Sequence, residues 1–368
     1  MSICKSVVNT FLPHVEEFHV TPLGSGLIHR TYLVTTPEAP YVFQELNCNV
    51  FRDPHGVMAN ILKVQSALAG YPEPTLTFLP RHDGQGFLGA DGSPQRFWRC
   101  AHHFPNTETY DVPPAPVYLR AAARAFARFG QRLSALDPAD FFPTIPRFHD
   151  TPHRYETFQR AWHEASEERR AHEEYQALVE LANAFAPYGM DGLQAEHVPQ
   201  GVSHNDTKLN NCLFRAGKPE VVCVIDLDTV MAGSWLMDFG DLARTAVCAL
   251  PEDTQQIDKI QIDEERFAAV AHGYIEVLKH SVSQAELDRM VYAAFLMTYE
   301  LALRFFTDHL QNDVYFGTKM PAHNLIRARS QIRLAQCWLE QRERLESLIS
   351  DALGKDLSPS VDRELAAS

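Results

Sequence analysis

The pattern of apolar and polar positions changes period near residue 103. Before it, β-branched and aromatic runs at 17–22, 27–35 and 41–46, separated by turn formers, read as three strands. Asp53-Pro54 then opens a helical pattern carrying Val57, Met58, Ile61, Leu62 and Val64, which ends near Gly70-Tyr71-Pro72. Strand-like pieces follow at 75–79, 86–88 and 96–101. Residues 1–103 are thus predicted to form a small sheet-based lobe. After a polar, turn-rich connection at 104–110, helical periodicity takes over at 117–136, 155–185, 263–279, 284–310 and 323–352. This predicts a larger helical lobe over 111–356, with 357–368 as a frayed polar tail.

One stretch interrupts the helices. Leu213-Phe214 and residues 221–225 read as a short hairpin turning at 215–219. His204, Asp206, Lys208 and Asn211 stand at one mouth of it, Asp226 and Asp228 at the other. Charged groups crowding a small apolar hairpin are costly unless they have partners, and a metal ion with a phosphate would supply them.

Composition narrows the function classes. A chain of 368 residues has room for two lobes with cores, and 45% hydrophobic with 22% charged residues is ordinary for globular proteins. The net charge of −14 speaks against a nucleic-acid partner, because phosphate backbones reward basic surfaces. Seven cysteines without CxxC spacing predict reduced thiols. No apolar run has the length of a membrane span or a signal-peptide core. The expectation is a soluble cytoplasmic protein with no membrane partner.

Transfer of the γ-phosphoryl group of ATP asks little covalent chemistry of a protein. It needs a carboxylate to accept the proton of the attacking hydroxyl, oxygen ligands for magnesium and positive charge near the moving phosphate. H-x-D-x-x-x-x-N supplies the first two from one loop, and here it reads HNDTKLNN, with Asp206 facing the acceptor and Asn211 the metal. Lys208 stands where its ammonium can meet the γ-phosphate. Asp226 ends the next strand and is the second expected magnesium ligand, with Asp228 supporting that ion or a second one. Asp238-Phe239-Gly240 spells the metal motif of protein kinases but lies beyond the hairpin return. Asp238 and Asp241 are therefore expected to buttress the loop or cap a helix beginning near Asp241.

These motifs resemble the aminoglycoside phosphotransferase and choline kinase-like enzymes, relatives of protein kinases, and within them the N-acetylhexosamine 1-kinases. The likeness spans nearly the whole chain. HNDTKLNN followed by VIDLDTVMAGSWLMDFGD carries it most specifically, with YVFQELN and NTETYD before and Arg304, Tyr315 and His323-Asn324-Leu325 after. The resemblance implies a two-lobed α+β protein-kinase-like fold, Asp206 as catalytic base, and Asn211 and Asp226 on magnesium. It also implies Arg304 and Tyr315 at a small-molecule sugar acceptor. Gly24, Ser25 and Gly26 are expected to cover the nucleotide, and His103 to lie near adenine. Where the sugar kinases usually have GHINDTY, this chain has GLIHRTY, so Arg30 replaces an acid in a loop that can face acceptor or phosphates. The third strand lacks the phosphate-binding Lys of protein kinases. Phosphorylation of an anomeric hydroxyl is the expected activity. A kinase for another hydroxyl acceptor (aminoglycoside, choline or homoserine type) and a non-catalytic nucleotide-binding protein are the alternatives.

Overall fold

A computed structural model of the chain describes residues 3–24, 28–90, 96–191 and 200–354. The expected tail at 357–368 lies outside the described residues, as do Ser25 and Gly26.

The small lobe begins with a helix that hydrophobic periodicity had not announced, α1 (Lys5–Phe11). Strands β1 (His19–Pro22), β2 (Arg30–Thr35) and β3 (Pro40–Glu45) follow, then α2 (Pro54–Leu68), β4 (Gly89–Ala90) and β5 (Phe97–His102). They form one antiparallel sheet in the order β1-β2-β3-β5-β4. α2 starts where Asp53-Pro54 predicts, since the Asp53 carboxylate accepts the N–H groups of His55 and Gly56. Of the pieces expected at 75–79 and 86–88, Phe78 makes only an isolated bridge to Ala101 and Leu88 precedes β4.

The chain leaves this sheet at His102 and joins the other lobe at once. β6 (Thr107–Glu108) is followed by α3 (Pro116–Leu133), α4 (Thr151–Glu164), α5 (Glu167–Ala171), α6 (Glu173–Asp191) and β7 (Gly201–Ser203). Then come β8 (Cys212–Arg215), β9 (Val221–Val224), β10 (Met231–Gly233) and α7 (Trp235–Ala246). The chain ends in α8 (Glu264–Leu278), α9 (Gln284–Leu287), α10 (Met290–Leu310), α11 (His323–Glu340) and α12 (Arg342–Gly354). The expected hairpin is β8–β9, with β6 on its other side, and β7 pairs separately with β10.

α10 is the axle of the large lobe. It is apolar nearly all round, as a helix surrounded by others must be, and only Tyr292 and Arg304 along it escape full burial. Each large apolar side chain removed from water there contributes about 1.5–3 kcal/mol. α7 crosses α10 closely at Gly240, where a Cβ would meet the Ala293 carbonyl oxygen at 2.5 Å. Among the described residues no helix is long and apolar enough to cross a membrane.

Candidate active site

The loop at 204–211 is held from three sides. Asn205 takes a left-handed backbone (φ 63°), a conformation uncommon outside glycine that costs energy unless its surroundings enforce it. Here they do. The N–H groups of His204 and Asn205 donate to the two oxygens of Asp238 at 3.0 and 2.7 Å, and the Thr207 N–H donates to Asp241 at 2.9 Å. The Asn205 side-chain amide donates to the carbonyls of Ser203 and Thr229. Below it Gly233 has no room for a side chain, since a Cβ would lie 2.4 Å from the Asn205 side-chain oxygen. His204 accepts the Asp206 N–H on Nδ1 and donates from Nε2 to the Ile225 carbonyl, against Phe126 and Phe129.

Asp238 and Asp241 thus buttress the loop, and capping by Asp241 is corrected. α7 begins at Trp235 and is capped by Ser234, whose hydroxyl accepts the Leu236 N–H. Burial pushes the Asp238 carboxyl up to about 6, opposed by the loop groups facing it. Phe239 packs on Phe267 and Tyr274, so the famous tripeptide serves support and packing. Trp235 stacks on Tyr274 and donates to Glu286, which makes it a packing residue.

On this frame Asp206, Lys208, Asn211 and Asp226 come together. Lys208 Nζ is 3.1 Å from Asp206, and the Asn211 amide nitrogen donates to the Asp206 carbonyl and carboxylate at 2.8 and 3.0 Å. That orientation leaves the Asn211 amide oxygen as the group for a cation. Asp226 ends the hairpin in a left-handed conformation (φ 58°). The protein packed around it, and then the charges of Asp228 and Asp206, raise its carboxyl well above the ordinary range, although solvent reaches the side chain. A carboxylate so placed is stabilised by an added cation. Lys208 is held charged, chiefly by Asp206 beside it. Among the described residues no three His, Cys, Asp or Glu side chains form a metal cage. Magnesium needs none, because it commonly takes one or two protein ligands and completes its shell with phosphates and water. The residues fit a divalent ion.

Asp228 departs from its expected place on the metal. Both its oxygens meet Arg99, at 2.6 Å each, and one also meets His29 at 3.0 Å, in a site 1% exposed. Burial alone would raise this carboxyl, but Arg99 and His29 outweigh it and hold the group far below its usual range. Arg99 also donates to Gln44 at 2.9 Å, its register partner on the third strand where protein kinases carry Lys. A buried cation from the next strand is thereby tied across the lobes. The reading of 96–101 as a mere strand passed over it, although an arginine between Phe97 and Ala101 on one strand face was a signal.

The remaining expected residues lie around this centre. Gly24 has φ +73°, and the chain returns beside it through the Leu23 N–H bond to the Thr31 carbonyl. His103 bonds by its N–H to the Pro40 carbonyl, and its buried Nδ1 has no hydrogen-bond partner among the described residues. Arg30 is largely exposed and pairs across the strands with Glu45 at 3.3 Å. Arg304 does not pair with Glu300, because that carboxylate is bonded to His149 and Thr151 at 2.9 Å each. Its guanidinium lies over Phe148, Tyr315 and Phe316 instead. It borders a cavity of about 120 Å³ also lined by Arg154, Thr157, Thr307, Tyr315 and Phe316.

The fold is that of the two-lobed, kinase-like phosphotransferases. The model of the phosphotransferase enzyme family matches residues 19–271, and the chain belongs to that family. Among solved structures it is similar to a microcompartment-associated aminopropanol kinase (TM-score 0.63, 16% identity, 93% of this chain and 98% of that one). It is also similar to an aminoglycoside phosphotransferase from Alicyclobacillus acidocaldarius (0.60, 12%, 100% and 97%). A third is an amicoumacin kinase solved with AMP-PNP and Ca2+ (0.59, 12%, 90% and 93%). At these identities the likeness shows a shared fold.

Proposed function

We propose that the protein is an ATP-dependent small-molecule kinase that phosphorylates the anomeric hydroxyl of an N-acetylhexosamine or related sugar. The observation that carries the kinase reading is Asp226, an exposed carboxylate in left-handed backbone that faces the like charges of Asp228 and Asp206 and stands beside Asn211. Asn211 and Asp226 would hold Mg2+, which when bound supplies charge neutralisation for the phosphates of ATP. The sugar hydroxyl attacks the γ-phosphorus, the new oxygen–phosphorus bond forms as the bridge to ADP breaks, and Asp206 takes the hydroxyl proton. Lys208 brings positive charge to the transferring group. Gly24, with Ser25 and Gly26, would cover the nucleotide, and His103 with its open Nδ1 would lie near the adenine. Asp228 acts through Arg99 and His29 by fixing the lobes around ATP.

For the acceptor, Arg304 and Tyr315 line a small cavity with Arg154, Asp308 and Gln311, and two guanidiniums against one carboxylate there favour a neutral, oxygen-rich acceptor over an amine. Arg30, on the small lobe, would approach the acceptor from the other side. Release of ADP should be measured with ATP, Mg2+ and a panel of N-acetylhexosamines, hexoses, aminoglycosides and amino alcohols. Sugar-dependent release giving a sugar 1-phosphate is expected. Release only with amines would overturn the sugar assignment, and release with none would overturn the kinase reading.

A further inference from the structure

His149 and His204 grip the same peptide group with opposite chemistry. The peptide joining Asn205 to Asp206 has its N–H accepted by His204 Nδ1 and its carbonyl oxygen 3.0 Å from His149 Nε2. His204 faces one donor and one acceptor, the pattern of a neutral ring. His149 faces two acceptors, the Asn205 carbonyl through Nε2 and the Glu300 carboxylate through Nδ1 at 2.9 Å. Only the doubly protonated imidazolium donates to both. A neutral ring would set a lone pair against an oxygen in a site where the His149 side chain is 10% and that of Glu300 0% exposed.

We propose that His149, as an imidazolium, is a charge-dependent positioning residue that couples the acceptor-side helix α10 to the orientation of Asp206. The route is short. Arg304 stands one turn beyond Glu300 on α10, Glu300 holds His149, and His149 holds the peptide from which Asp206 projects. Thr151 at the head of α4 bonds the second Glu300 oxygen and keeps that carboxylate facing the ring. The charged groups around His149 are Glu300 and Arg304 from α10, Arg154 from α4, and Asp238 and Asp241 from α7. Burial by itself would discharge the ring; Glu300 outweighs it and raises His149 above its ordinary value, with Arg304 opposing. The coupling is therefore complete at low pH and is lost as pH rises through this elevated value.

This inference rests on Asp206 acting as the base, so its first test needs no acceptor. Nitrogen NMR of the histidine rings in the full chain should show both His149 nitrogens protonated at neutral pH, and in Glu300→Gln the titration should fall by about one unit or more. A His149 ring with one bare nitrogen at pH 7 overturns the proposal, independently of whether any acceptor has been found. The second test is the pH profile of turnover with the acceptor that the ADP-release panel identifies. In wild type kcat should decline on the alkaline side with the His149 titration, and Glu300→Gln should move that limb to lower pH. His149→Asn should lose about ten- to a hundred-fold in kcat and the limb itself, with the KM for ATP little changed. An unmoved limb in Glu300→Gln, or full kcat in His149→Asn, would refute the coupling.

Discussion

Two pairs of aspartates flank the loop at 204–211, and three of the four are buried with partners in the protein while Asp226 is exposed. On one flank Asp238 and Asp241 receive backbone N–H groups of the loop, and Asp241 also holds Arg244 at 2.8 Å. On the other, Asp228 is neutralised by Arg99 and accepts a hydrogen bond from His29, and Asp226 is left facing two further acids. Three of the four acids therefore have their charge answered from within the protein. The fourth, exposed beside two acids, is the one an incoming cation can reach. An acidic cluster is read by asking which member lacks a protein partner and lies open to solvent, since that is the one a ligand can reach.

That contrast can be broken by substitution. Asp226→Asn is expected to lower kcat by about a thousand-fold or more while the melting temperature stays level or rises, because it removes repulsion along with the metal ligand. Loss of fold in that variant would mean that Asp226 is structural like its neighbours. Asp228→Asn should behave in the opposite way. Leaving Arg99 buried without its carboxylate destabilises by about 3–5 kcal/mol, read from denaturant unfolding. If Arg99→Met with Asp228→Asn restores stability without restoring the KM for ATP, the pair fixes the lobes rather than the core. Asp238→Asn gives up charge-assisted bonds to two buried amides and should cost about 1–3 kcal/mol, with a smaller loss of kcat than Asp226→Asn. Gly240→Ala tests the packing account of the same tripeptide; the clash with the Ala293 carbonyl should cost about 1–3 kcal/mol in thermal unfolding with metal dependence unchanged.

Much of the architecture was readable from periodicity. The three opening strands, α2 with its Asp53 cap, the β8–β9 hairpin and the long helices follow from local patterns, because alternation and 3.6-residue spacing are properties of short windows. α1 was missed because its seven residues carry too few turns to show a period. The pairing of β7 with β10 joins segments of three residues far apart in the chain, and no local pattern announces that. At the site, HNDTKLNN and Asp226 stood out by residue type and spacing. Arg99 and His149 did not, since each acquires its meaning from a partner more than a hundred positions away.

The order of elements, the loop bearing Asp206 and Asn211, and the hairpin leading to Asp226 were determined by the sequence by itself, because they depend on spacing along one chain. Which acid remains unanswered was decided only by tertiary structure. Asp228 is taken up by an arginine from the other lobe, Glu300 by a histidine rather than by Arg304, and Asp238 by amides that only a left-handed Asn205 can present. Charge compensation depends on distances in space, and those exist only once the lobes have closed on one another.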